Sequence, residues 1–120
     1  MYEVIFYEDS EGLSQLEEFI KELNRKALTN KSSRIELKQI MFYIELLKRL
    51  GTRAGESITK HIQEEIWELR PGNNRIFFFG WRNNNFILLH QFRKKTNKTP
   101  QNEVDKAIRE YRDWIVRNGK

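Results

Sequence analysis

The chain contains a cluster of charged side chains whose spacing suits chemistry on a phosphate group. The segment from residue 67 to residue 100 carries seven cations and one acid, Glu68, which gives it a formal charge of +6. Glu68 and Arg70 are two residues apart, so on a strand both side chains project from the same face. Arg75 follows after a short turn, and a hairpin would bring it beside Arg70. Two neighbouring arginines can share one phosphate, because each guanidinium binds phosphate oxygens through a planar fork of N–H groups.

Cleavage of RNA by its own 2′-hydroxyl would give these side chains defined roles. The reaction needs a base for the hydroxyl proton, cations for the crowded phosphorane, and an acid for the leaving 5′-oxygen. Glu68 is the only acid of the segment and is the candidate base. His90 is a candidate acid, because histidine side chains titrate near neutral pH. The candidate catalytic residues are Glu68, Arg70, Arg75, His90 and Lys95.

Further cations lie on or just after strongly strand-forming apolar runs. A rigid sheet would present these cations together, and a cationic sheet surface suits a polyanion. RNA is the leading candidate ligand. The candidate RNA-binding residues are Arg82, Arg93, Lys94 and Lys98.

Glu68 and the aromatic residues also have structural alternatives. Glu68 can form an ion pair with Arg70 or Arg75, worth at most about 1 kcal/mol if the pair is exposed. The aromatic side chains of the strands can stack on bases, although core packing is the favoured interpretation. These aromatic residues are Phe77, Phe78, Phe79 and Trp81.

His90 has a structural alternative of its own. Simple alternation along its strand places His90 on the same face as Phe86, Leu88 and Phe92. A histidine in such apolar surroundings is expected to be a hydrogen-bonded core residue. The acid role and the core role both remain open for His90.

Metal and cofactor chemistry is poorly supported by the sequence. The chain has no cysteine, and its two separated histidines, His61 and His90, do not make a plausible metal cage. It also lacks the G-x-x-x-x-G-K motif that binds phosphates. We therefore expect neither a metal nor a cofactor.

The bulk properties indicate one globular domain with an anionic partner. A length of 120 residues fits a single domain, residues 1–120, and the 38% hydrophobic and 32% charged residues exclude a disordered chain. The formal charge of +5 and the pI near 9.6 favour anionic partners. No apolar stretch is long enough to span a bilayer, and the acidic amino terminus lacks the features of a signal peptide. We therefore expect a cytoplasmic protein.

Apolar periodicity predicts an α+β fold with the element order β-α-α-β-β-β-α. The two consecutive helices form a hairpin, and this hairpin and a terminal helix are expected to pack on a small, mainly antiparallel sheet. The predicted strands lie at residues 2–7, 63–70, 74–81 and 85–93, and the predicted helical stripes lie at residues 13–27, 37–50 and 104–115.

Local signals place the ends of these elements. Ser14 or Ser10 is expected to cap the first helix, and residues 51–60 are expected to form a loop. Thr99 and Pro100 predict the N-cap and the first residue of the terminal helix. Within the strand over residues 63–70, alternation directs one set of side chains to the core and the other set away from it. Trp67 and Leu69 are expected to face the core, and Ile66, Glu68 and Arg70 the opposite side.

Three segments resemble the HigB-type branch of the RelE/ParE toxin superfamily. They are WELR at 67–70, RIFFF at 75–79 and LLHQFRKKTNKTP at 88–100, of which the last is the most specific. Together with the element order, the resemblance covers nearly the whole chain. It implies a bacterial or phage type II toxin that blocks translation, commonly by cutting mRNA on the ribosome.

The same resemblance implies partners. A helix-turn-helix antitoxin of the HigA kind would bind the toxin, commonly as a heterotetramer with two copies of each chain. The antitoxin would repress the shared operon, so operator DNA would be contacted only through it. The ribosome and mRNA would be the targets, and no membrane is involved.

The resemblance also bears on the site residues. Arg75 matches the position of a catalytic arginine in RelE-like nucleases, and the cations after the last strand match the second basic cluster of those enzymes. One departure is clear. Lysines that RelE-like enzymes hold on the strand before that arginine are replaced here by Ile66 and Glu68.

Three functions are compatible with these features. The first is a metal-independent, ribosome-dependent endoribonuclease. The second is a toxin of the same fold that lacks RNase activity and acts on another target such as gyrase, and the third is a non-enzymatic nucleic-acid-binding protein. Arg75 and the basic cluster favour the first over the second. Glu68 argues against the third, because binding of phosphate alone does not require an acid.

Overall fold

The fold is a five-stranded sheet with helices on both faces, and the computed structural model describes every residue from Met1 to Lys120. The α+β class predicted from the sequence is confirmed. The strands are β1 Glu3–Phe6, β2 Thr59–Gln63, β3 Ile66–Leu69, β4 Asn74–Trp81 and β5 Asn85–Arg93, and the helices are α1 Gln15–Lys26, α2 Lys31–Leu50 and α3 Gln101–Asn118.

The strand order brings several chain segments to one end of the sheet. The order is β1-β5-β4-β3-β2, with β1 parallel to β5 and all other neighbours antiparallel. The start of β2, the end of β3, the start of β4 and the end of β5 therefore lie at the same end. The β3–β4 turn, the segment before β2 and the segment after β5 lie together there, and this end carries the candidate site.

One strand was not predicted from the sequence. The segment expected to be a loop over residues 51–60 contains a short 3-10 turn at Gly51–Ala54 and the beginning of β2. The strand predicted over residues 63–70 is divided by a tight turn in which Glu64 has a φ of +52°. Strand β2 has a mixed polar sequence because it is an edge strand that is largely exposed to solvent.

Both faces of the sheet are buried. The face under α1 and α2 contains Leu69, Phe78 and Leu88, whereas the face under α3 contains Ile66 and Phe77. Ile66 lies on the face opposite Trp67 and Leu69, as predicted, but this face is a second core and Ile66 is buried in it. None of the helices is both long enough and apolar enough to cross a membrane.

An irregularity in β5 changes the face on which His90 lies. Ile76 pairs with Gln91 and Phe78 pairs with Leu88, so β5 has one residue more than β4 between these pairs. This is the geometry of a β-bulge. His90 consequently shares its face with Phe92 under α3, while Leu88 packs under α1 and α2. The prediction that placed His90 beside Phe86 and Leu88 is therefore wrong.

The helix caps agree with the sequence at α1 and differ at α3. The Ser14 hydroxyl accepts a hydrogen bond from the Glu17 N–H at 3.1 Å, which confirms Ser14 as the N-cap. At α3 the N-cap is Pro100, which makes no side-chain cap. The Thr99 hydroxyl donates instead to Glu68, so the prediction of Thr99 as N-cap is wrong.

Candidate active site

A polar cleft opens at the end of the sheet where the loops gather. It has a volume of about 340 Å³, and Phe92 is its one hydrophobic lining residue. Five cations and a single acid line it, which gives a formal charge of +4 and makes an anion the ligand it suits. The lining residues are Lys60, Glu68, Arg70, Arg75, Phe92, Lys94, Asn97, Lys98 and Thr99.

Glu68 is buried in the wall of this cleft, with 2% of its surface exposed. Its Oε1 atom forms ion pairs with Arg75 Nε at 2.9 Å and with Arg70 Nε at 3.5 Å. Its Oε2 atom accepts a hydrogen bond from Thr99 Oγ1 at 3.0 Å. A buried carboxylate requires such compensation. The ion pair that the sequence allowed is therefore formed with both arginines.

Arg75 is held in place by the turn that precedes it. Its Nη1 donates to the carbonyl oxygens of Gly72 at 2.7 Å and Asn74 at 2.8 Å. Gly72 has a φ of +61°, which a turn that begins with proline favours at this position. Because Nε is bound to Glu68, only Nη2 is without a partner. Burial lowers the pKa of Arg75 and Glu68 opposes this shift, but the guanidinium stays charged at neutral pH.

Arg70 is fixed in a similar way. Its Nη1 donates to the carbonyl oxygen of Glu56 at 2.8 Å, and its Nε faces Glu68. Nη2 of Arg70 has no partner, like Nη2 of Arg75. The cleft is thus lined by two oriented guanidinium groups that each retain free N–H donors for an anion.

Lys60 was missed by the sequence analysis because β2 was not recognised. It lies directly opposite Glu68 in the β2–β3 ladder and lines the cleft. The signal available in the sequence was a short hairpin, in which Glu64 and Glu65 form a two-residue turn between strand-forming residues. Lys60 therefore supplies, from a neighbouring strand, an ammonium group near Glu68.

The cations at the end of β5 and just after it are divided between the two faces of the sheet. Lys94 and Lys98, two of the candidate RNA-binding residues, line the cleft. Arg93 points to the other face and forms an ion pair with Glu36 of α2 at 2.9 Å. Lys95 is exposed and does not line the cleft. Asn97 and Thr99 are lining residues that the sequence analysis did not identify as candidate site residues.

Arg82 lies at the opposite end of the sheet. It follows β4, and its guanidinium stacks over Trp81 at 3.9 Å from the ring centroid. It also donates to the carbonyl oxygen of Asn118 at 3.0 Å. Arg82 thus binds the carboxyl end of α3 and is separated from the cleft.

His90 and the strand phenylalanines are buried. His90 is 1% exposed and contacts Glu103 and Glu110 of α3, so the structure favours the core alternative for it. Core packing is likewise observed for Phe77, Phe78 and Phe79.

A buried polar network supports the back of the site, on the face under α1 and α2. Asn74 Nδ2 donates to Glu36 Oε2 at 2.7 Å, and Asn74 Oδ1 accepts from Gln91 Nε2 at 2.7 Å. Gln91 is bound in turn by Gln15 of α1. Since Asn74 immediately precedes Arg75, this network fixes the strand end from which Arg75 projects.

The acidic and histidine side chains do not form a metal-binding arrangement. No group of three or more His, Asp or Glu residues is placed to hold an ion. The chemistry available to the cleft is therefore that of oriented guanidinium and ammonium groups beside one carboxylate.

Comparison with known proteins gives one family. A family model described as "Phage derived protein Gp49-like (DUF891)" matches residues 17–112. All nine lining residues of the cleft lie within this matched region. The curated proteins include no match to the chain.

Proposed function

Since the chain belongs to the Gp49-like family of phage-derived proteins, a family of RelE-like toxins, we propose that it cleaves messenger RNA as the toxin of a type II toxin–antitoxin module. The observation that carries this proposal is the convergence of Arg70, Arg75 and Lys94 on one cleft. These residues come from three separate chain segments, and solvation alone would not gather them. Within the superfamily we propose the HigB-type branch, supported by the segment over residues 88–100.

The cleft supports cleavage by the RNA 2′-hydroxyl. In this reaction the 2′-oxygen forms a bond to phosphorus while the bond to the 5′-oxygen breaks, which leaves a cyclic phosphate and a 5′-hydroxyl. The free Nη2 groups of Arg70 and Arg75 are placed to bind the phosphate oxygens as negative charge increases. The lysine ammonium groups add positive charge and can donate the proton that the 5′-oxygen requires.

Glu68 has two candidate roles in this chemistry. As a general base it would accept the 2′-hydroxyl proton, and as an orienting group it would hold Arg75 and Arg70. One of its carboxylate oxygens is already paired with Arg75, the other accepts a hydrogen bond from Thr99, and little of the residue is exposed. These contacts favour the orienting role, and variants of Glu68 separate the two roles.

The family association with toxin–antitoxin modules supports a cognate antitoxin. We propose a helix-turn-helix partner of the HigA kind, assembled with the toxin as a heterotetramer and alone responsible for contact with operator DNA. The charge of +4 in the cleft would attract an acidic segment of that partner. Since its proposed target is the ribosome, we propose that the toxin acts in the cytoplasm.

A cell-free translation reaction tests this function. Purified protein is added and the mRNA ends are mapped by primer extension. New ends that are in phase with codons and that require ribosomes support the proposal. Arrest of translation without new ends indicates another target within translation. No effect indicates a target outside translation, such as gyrase, or simple nucleic-acid binding, so either result contradicts the proposal.

Matched arginine variants make the assay specific for the cleft. R75A and R70A are expected to lose RNA cleavage, because each removes a guanidinium from the cleft. R93A is the control, since Arg93 is an arginine of the same region that lies on the opposite face. Equal activity of R75A, R70A and R93A would show that cleavage does not occur in the cleft.

A further inference from the structure

His90 is a buried polar group outside the cleft that links β5 to α3. Its Nε2 atom lies 3.0 Å from Glu103 Oε1, and its Nδ1 atom lies 2.5 Å from Glu110 Oε1. Carboxylate oxygens of ionised glutamates accept hydrogen bonds and donate none. Each ring nitrogen of His90 thus has one glutamate oxygen within hydrogen-bonding distance, so both polar atoms of the ring are engaged by α3.

The surroundings of His90 offer few partners other than Glu103 and Glu110. Phe77 and His90 form an edge-to-face contact with ring centroids 5.5 Å apart, and Phe92 lies on the same face. Glu103 and Glu110 are the two side chains with which His90 forms ion pairs. Water and other acceptors are largely excluded from a ring that is 1% exposed. If one glutamate is withdrawn, the ring therefore has no replacement partner.

The contact between His90 and Glu103 closes a loop that carries one wall of the cleft. Lys94, Lys98 and Thr99 all lie in the chain between these two residues. The loop has two further attachments, since the Lys94 N–H donates to the Asn73 carbonyl oxygen at 2.8 Å and Thr99 donates to Glu68. Fixing both ends of such a loop reduces the number of positions that its cations can occupy.

We propose that His90 and Glu103 form a clasp that positions Lys94 and Lys98 against the RNA phosphate. The proposal rests on the proposed function, in which the cleft binds RNA. His90 and Glu103 are positioning residues in this scheme, because neither lines the cleft. The proposal also gives His90 a role that differs from that of a proton donor.

Glu103 and Glu110 contribute differently to this clasp. Glu103 lies in the first turn of α3, close in sequence to the cation-bearing loop, whereas Glu110 lies two turns further along the helix. The apolar residues Val104, Ala107 and Ile108 also hold α3 on the sheet. Loss of the Glu103 contact alone is therefore expected to loosen the loop without separating α3 from the sheet.

Hydrogen–deuterium exchange of residues 94–99 and RNA affinity together test the clasp. E103D keeps the negative charge at the start of α3 but shortens the side chain by one methylene, which withdraws the carboxylate from His90. E103A is a second test variant, and E103Q keeps both the length and an acceptor oxygen. D105N is the matched control, because Asp105 is an exposed carboxylate of the same helical turn.

The affinity is measured with a short RNA oligonucleotide whose 2′-hydroxyls are methylated, so that it cannot be cleaved. Each variant is studied well below its thermal midpoint, where it is fully folded. We expect E103D and E103A to exchange faster at residues 94–99 and to bind this RNA roughly tenfold more weakly, as for loss of one charged hydrogen bond. E103Q and D105N should remain close to the wild type.

Other outcomes overturn the proposal and identify which part is wrong. Unchanged exchange at residues 94–99 in E103D and E103A shows that there is no clasp. Faster exchange with unchanged RNA affinity shows that the clasp does not position the cations. In that second case, loss of RNA binding by R75A would leave the proposed function intact, whereas normal binding by R75A would contradict the proposed function as well.

Discussion

Lys60 of β2 and Glu68 of β3 stand opposite each other in the antiparallel ladder, and both side chains line the cleft. The Cβ atoms of such a pair are about 4.5–5.5 Å apart. Glu68 nevertheless forms its ion pairs with Arg75 and Arg70, and Lys60 forms none. Glu68 is therefore committed to the arginines, while the ammonium group of Lys60 is free for an anionic ligand.

The first prediction concerns Lys60. K60M keeps the apolar stem of the side chain and removes its charge, so we expect RNA cleavage at saturating RNA to slow by about 10²-fold, as when one donor to a transition-state oxyanion is lost. The unfolding free energy should change little, because no ion pair is broken. K38M, at an exposed lysine of α2, is the control. Full cleavage activity in K60M would exclude Lys60 from the chemistry.

The second prediction separates the two roles of Glu68. In E68Q the amide oxygen can still accept from Arg75 Nε, and the Thr99 hydroxyl can rotate to meet the amide nitrogen. If Glu68 orients the arginines, cleavage by E68Q should stay within about tenfold of the wild type, whereas E68A should lose about 10²-fold or more.

The general-base hypothesis predicts a different pattern for the same variants. An amide cannot accept the 2′-hydroxyl proton, so E68Q and E68A would lose cleavage equally, by about 10²–10⁴-fold. The thermal midpoint of each variant is measured in parallel, because removal of the buried carboxylate leaves Arg75 without its partner. Equal and complete loss of cleavage in two folded variants would favour the base.

The third prediction uses two adjacent lysines that the structure places differently. Lys94 lines the cleft and Lys95 is exposed outside it. K94A should weaken RNA binding and reduce the slope of log K against log salt by about 0.7, the change expected when one contact to a single-strand phosphate is lost. K95A should leave the slope unchanged. The reverse pattern would show that RNA follows a path outside the cleft.

Residues 68–75 and 93–95 show how much of the site could be predicted from the sequence. Glu68 and Arg70 were placed on one face by strand alternation, and Arg75 was brought beside them by the Pro-Gly turn. Both are local effects that sequence spacing determines. The same alternation separates Arg93 from Lys94 at the end of β5, but sequence alone does not show which of the two faces carries the cleft. That choice depends on how β5 pairs with β4.

Lys60 and His90 show which features of the site could not be predicted from the sequence. Lys60 belongs to an edge strand whose mixed composition gives little periodic signal, and its approach to Glu68 requires a hairpin partner. His90 was assigned to the wrong face because one bulge residue reverses the alternation beyond it. Bulges and edge pairing are determined by tertiary contacts, so they are the features that local patterns miss.

The fourth prediction concerns acid stability and the contact between β1 and α3. The Tyr7 hydroxyl, at the end of β1, donates to Asp113 Oδ2 at 2.6 Å, and Arg117 also binds that carboxylate. Hydrogen bonds from Arg117 and then from Tyr7 lower the pKa of Asp113. A carboxyl group whose pKa is lower in the folded state stabilises the fold above its unfolded pKa, near 3.9. This contribution is lost as the pH falls through the lowered value.

Urea unfolding of the wild type and D113N at several pH values checks this linkage. We expect D113N to be less stable than the wild type at pH 6, because the amide cannot carry the charge that Arg117 neutralises. The difference should shrink below about pH 4 as Asp113 itself becomes protonated. Y7F, which removes only the second donor, should lose part of the same pH-dependent stability. Parallel stability curves for the wild type and D113N down to pH 2 would mean that Asp113 has the same pKa in the folded and unfolded chains.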